Sequence, residues 1–182
     1  MLLDLSLRQV IRNWRGPKVT IAAAGCGASL AGILNIPGCS KFLDGLYFPY
    51  GFGHVERNCA GWVDNYFSAE CAAKLADNLY NKYCTRRAAS DLDQEIFIGI
   101  SAALITDRYR KGDEGFYLNA ICEGSRYIIQ PCGEIWPHRT EESYRHMNLY
   151  DIIERRIYQD RLITDKVMHL LNNYVSINSK SI

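Results

Sequence analysis

No apolar run in this chain reaches the roughly 18 residues that a membrane-spanning helix needs. No excess of either charge is present: 21 Lys and Arg face 20 Asp and Glu, for a net charge of +1. That balance excludes the basic footprint of a nucleic-acid binder or of a protein held on an anionic membrane. No two of the seven cysteines stand in a C-x-x-C pair, and none of the four histidines forms an H-x-x-x-H pair. Zinc-ribbon, dithiol-redox and helical zinc motifs are therefore missing, and neither a metal nor a cofactor is expected. Internal repeats, low-complexity tracts and a second-domain linker are also absent. The opening "MLLDLSLRQVIRNWRG" lacks the order of a secretory signal, because Asp4 breaks its apolar stretch and Arg8, Arg12 and Arg15 follow rather than precede it. The expectation is a cytoplasmic protein with reduced thiols.

What is there suits one domain over residues 1–182, with its core over about 5–175. The chain is 48% hydrophobic and 23% charged, enough to build a real core. Its twelve tyrosines are scattered, as packing residues are. Leu3, Leu7, Val10, Ile11 and Trp14 recur at helical spacing and predict a first helix. Val19 to Ala24 is a short apolar run between Gly16-Pro17 and Gly25, which predicts a buried strand feeding a glycine turn. A helix over Ser29 to Ile36, stopped by Pro37-Gly38, and a strand in "FLDGLYFPYG" follow. Gly51 to Phe67 reads as a loop with one helical turn. Ser68 caps a helix that runs through Ala72, Leu75 and Leu79 to about Arg86, and a polar link leads into the apolar run Ile96 to Thr106, a central strand. Two strands joined at Glu123-Gly124, an irregular stretch over Gly133 to Glu142, and helical spacing from Met147 to Tyr174 complete the chain. The shift of register near Gln159 predicts a bend or two helices. This order predicts a three-layer α/β/α sandwich with a mixed sheet.

Several short stretches, in this order, resemble the C-terminal domain of the competence-damage-inducible CinA proteins. They are "IPGCS" from Ile36, "GLYFPY" from Gly45, "FSAECAAKLA" from Phe67 and "EGFYLNAI" from Glu114. The resemblance implies that fold, a homo-oligomer, and descent from a nicotinamide mononucleotide amidohydrolase. The chemical motifs depart from it. Where the family carries its nucleophilic serine, this chain has Ala24, or Ala23 by a slip of one residue. Where the family has a lysine, this chain has Val55. Tyr50 and Ser101 remain at their matching positions. Alanine cannot attack a carbonyl and valine cannot take a proton, so covalent amide hydrolysis by the family route is lost.

Two readings of the site follow. In the first, the domain is catalytically degenerate and serves as a binding, regulatory or assembly module. Gly25, Gly27, Ser29 and Ser101 would then form a site for a small anionic or nucleotide ligand, held by backbone amides. In the alternative, an amide or nucleotide hydrolase uses Cys26 as nucleophile with His54 as base and Tyr50 beside them, the helix start lowering the thiol pKa. Against that stands an inert buried cysteine. "ERR" from Glu154 reads as a solvated helix face.

Overall fold

The computed structural model describes residues 5–84, 95–122, 127–136 and 139–178. The first helix, α1 (Leu5–Arg12), leads into strand β1 (Lys18–Ala24). After the glycine turn come a short α2 (Ala28–Ala31), 3-10 turns over Gly32–Asn35 and Cys39–Lys41, and strand β2 (Leu43–Tyr47). Helices α3 (Phe52–Asn58) and α4 (Ala69–Cys84) precede strands β3 (Glu95–Ala103), β4 (Glu114–Cys122) and β5 (Tyr127–Trp136). The chain continues through α5 (Glu141–Arg145) and α6 (Leu149–Asn178).

The five strands form one mixed sheet in the order β2-β1-β3-β4-β5. β2, β1 and β3 run parallel, while β4 and β5 are antiparallel to their neighbours. Alternation along each strand separates two apolar layers. Val19, Ile21 and Ala23 join Ile96, Ile98 and Ile100 on the face covered by α1, α2 and α6. Ala22, Ala24 and Phe97 point the other way, toward α3 and α4. Gly99 on that second face lets α4 lie close to β3: a Cβ there would collide with the Ala72 carbonyl. The α/β sandwich with a mixed sheet is therefore as the sequence pattern implies.

Several local expectations are corrected. The helix expected over Ser29 to Ile36 becomes 3-10 at Gly32, where glycine and β-branched Ile33 weaken an α-helix. The second strand stops at Tyr47, before Pro49, which has no N–H to give the ladder. The loop after Gly51 contains a formed helix, α3. Gly133 to Trp136 extend β5 rather than leaving the sheet, and their partners on β4 are Tyr117 to Glu114. The last helix is continuous through Gln159, so the expectation of two helices there is corrected. The helix end at Arg86, the link over 88–94 and the turn at Glu123-Gly124 lie outside the described residues. Among the described residues, no helix is long and apolar enough to cross a membrane.

Candidate functional site

The parallel strands end at a glycine turn. β1 stops at Ala24, and Gly25 (φ 81°) and Gly27 (φ 124°) take left-handed conformations that an L side chain rarely adopts. Space forbids substitution as well. A Cβ on Gly25 would meet the Ala102 carbonyl, and one on Gly27 would enter the ring of Phe48. The turn is thus wedged between the end of β3 and an aromatic lid.

Its amides point at an anion, and that anion belongs to the chain. Asp160 of α6 accepts from the Gly27 amide through Oδ1 at 2.6 Å and from the Ser29 amide through Oδ2 at 2.5 Å. All three residues are buried. Two of the donors expected to hold an external anion, the Gly27 and Ser29 amides, are therefore already occupied. Neighbouring polar residues of α6 are used the same way. Gln159 accepts from the Ile105 amide at 2.9 Å and donates to Glu114 at 2.6 Å, and Arg156 donates to the Ile105 carbonyl at 2.7 Å. Arg155 pairs with Glu114 at 3.5 Å. The "ERR" stretch is thus a solvated face only at Glu154, while its two arginines are half-buried and hold α6 against the strand ends. Asp160 and Gln159 escaped the sequence reading. Their trace was the register shift at Gln159, where polar residues occupy helix positions that face inward.

A cavity of about 380 Å³ opens beside this turn. Its walls are mainly apolar: Cys26, Phe48, Tyr50, Leu104 and Ile157, with Asp160 and Arg156 supplying the polar atoms. Among the expected site residues, Gly25, Cys26, Gly27, Ser29 and Tyr50 meet here. Tyr50 stands at the mouth, 76% exposed. His54 does not line this cavity; it sits exposed on α3. Burial, then the Asp160 carboxylate, push the Cys26 thiol up from its ordinary range. A thiol so shifted holds less thiolate near neutral pH. Cys26 is accordingly expected to react with iodoacetamide at pH 8 more slowly than glutathione does, as peptide mass spectrometry would record. Labelling as fast as glutathione would show an activated nucleophile instead.

Ser101 lies elsewhere. It sits on the face of β3 that looks toward α4, next to Ala24 in the parallel ladder. Its hydroxyl donates to the Tyr66 carbonyl and accepts from the Ser68 amide at 3.3 Å.

No family model matches the chain, and no curated relative matches it. Solved structures do. The competence/damage inducible protein CihA from Agrobacterium tumefaciens superposes with a TM-score of 0.52 at 14% identity, over 90% of this chain and 98% of that one. A CinA superfamily protein from Escherichia coli gives 0.51 at 13%, over 87% and 92%. The competence damage-inducible protein A from Klebsiella pneumoniae gives 0.51 at 14%, over 90% and 93%. The fold is CinA-like. Within this CinA-like fold, two of the positions at which the sequence departs from the motifs it resembles fall in one cluster. Ala24 and Val55 are 5% and 4% exposed and share one apolar cluster with Cys59, Val63 and Cys71. Ala23, the one-residue alternative, packs on the opposite face of the sheet. The place where the resemblance sets a serine and a lysine is filled by hydrocarbon and sulfur.

Proposed function

We propose that this CinA-like domain has no amidase activity and acts as a binding module for a small, mainly apolar ligand. The observation that carries this reading is the shared burial of Ala24 and Val55 in one apolar cluster. Alanine and valine supply neither a nucleophile nor a base for amide hydrolysis at these two positions. The cavity beside the glycine turn is of the size that small-molecule sites have, a few hundred Å³. Asp160, seated on the turn amides, and Arg156 both line it, so the cavity offers an anionic ligand no net positive charge. The walls favour a flat, uncharged ring stacked against Phe48 and Tyr50.

The test has two arms. Incubation of the pure protein with nicotinamide mononucleotide should release ammonia only at the blank rate. Turnover that disappears in Tyr50→Phe would overturn the loss of activity. Nile red, an uncharged aromatic dye, should bind with a rise in emission that Ile157→Arg abolishes. Equal emission from both proteins would place the dye outside this cavity and remove the binding reading.

A further inference from the structure

Cys59 and Cys71 stand 12 positions apart, a spacing that matches no motif. The fold nevertheless brings them together, with their Sγ atoms 3.9 Å apart beneath the loop joining α3 to α4. Both are free thiols. We propose that they form a peroxide-sensitive disulfide site, in which Cys71 is oxidised first and Cys59 resolves it.

The roles follow from position. Cys71 is the third residue of α4, a helix of 16 residues, so the partial positive charge of the helix start lies beside its sulfur. Its own amide is capped by the Ser68 hydroxyl at 3.0 Å. The hydrogen bond with Cys59 holds the Cys71 thiol below its ordinary range despite burial. Cys59 moves the opposite way, raised first by that same hydrogen bond and then by burial. One sulfur is therefore kept toward thiolate while its neighbour keeps its proton. Cys59 immediately follows α3 and is 7% exposed, whereas Cys71 is fully covered. The segment over them is mostly surface, with Gly61, Trp62, Asp64 and Asn65 exposed. Hydrogen peroxide is nearly as small as water and can enter where larger disulfides cannot.

The chemistry balances with a hydroperoxide as oxidant. The Cys71 thiolate attacks one peroxide oxygen. The O–O bond breaks, Cys71 becomes a sulfenic acid, and hydroxide leaves and takes a proton to become water. Cys59 then attacks the Cys71 sulfur, the S–O bond breaks, and the Cys59 proton leaves with that oxygen as a second water. Two thiols are oxidised and one peroxide is reduced. The product ties the end of α3 to the first turn of α4, fixing the helix that carries Val55 against Ala24.

Trypsin should release Asn58 to Lys74 as one peptide holding both cysteines. The folded protein is exposed to hydrogen peroxide, quenched, treated with N-ethylmaleimide and digested. The expected peptide carries no maleimide and is about 2 Da lighter than the reduced form. Closure in the folded protein should be at least about tenfold faster than in the same chain unfolded in urea. Cys59→Ser should instead accumulate a dimedone-reactive Cys71. Two maleimides on the peptide from the folded protein, closure no faster than in urea, or a Cys71 that dimedone never labels in Cys59→Ser would each overturn the proposal.

Discussion

Asp160→Ala should destabilise the protein by about 4 kcal/mol, because two buried amides lose a charged acceptor at once. The Gly27 and Ser29 amides have Asp160 as their carboxylate partner at 2.6 and 2.5 Å, inside a turn closed by Phe48. A neutral water entering from the adjoining cavity would replace a carboxylate shared by two amides only in part. For a chain of this length each kcal/mol moves the melting temperature by about 2–4 °C, so a fall of roughly 10 °C is expected. Asp160→Asn should lie between, because one amide can still donate to the side-chain carbonyl while the other faces an NH₂ group. Formate in the buffer should recover part of the loss in Asp160→Ala, but not in the parent, since the truncated side chain leaves two aimed donors and the space of a carboxylate. Thermal melts with and without formate read all three. An alanine variant that melts within about 1 kcal/mol of the parent would show that Asp160 only decorates the turn.

The second large effect is expected from the smallest change, Gly99→Ala. Gly99 lies mid-strand in β3, and α4 crosses directly over it. The added methyl would run into the Ala72 carbonyl and the Ala76 amide, both helix backbone, with Leu75 Cβ 3.0 Å away. Backbone cannot rotate aside as a side chain can, so the helix must lift or the strand must bend. The expected cost is about 3 kcal/mol, the upper part of the range for overpacking. Gly112→Ala is the control. It has nothing within 4 Å of a new Cβ and should change stability by less than about 0.5 kcal/mol. Urea titrations of both variants give the comparison. Equal midpoints would mean that α4 does not rest on β3 as closely as described.

The two variants test different kinds of information. Gly99 belongs to a stretch whose meaning was already visible in the chain: a continuous apolar run reads as a strand buried on both faces, and β3 is one. The same holds for β1, for α4 with its Leu75 and Leu79, and for the α/β layering. Such patterns are legible because each element's neighbours in space repeat with a fixed local period. The resemblance that sets Ala24 and Val55 where a serine and a lysine would stand was also legible, since it needs only identities along the chain.

Asp160 belongs to the other kind. It was invisible because its partner Gly27 lies 133 residues away. An aspartate within a helix reads as a surface residue until something buried needs it. Gln159 is of the same kind: its polar side chain suggested a break in the helix, whereas α6 runs unbroken and that side chain bonds Ile105 and Glu114. So are Cys59 and Cys71, whose contact depends on how α3 and α4 dock on the sheet. By itself, then, the chain determined its strands, most of its helices and their layering, because these rest on short-range periodicity and residue chemistry. Only tertiary structure decided that the glycine turn holds its own carboxylate, that His54 stays away from Cys26 and that two thiols touch. Those outcomes depend on pairings between distant segments, and such pairings leave no periodic mark on either one.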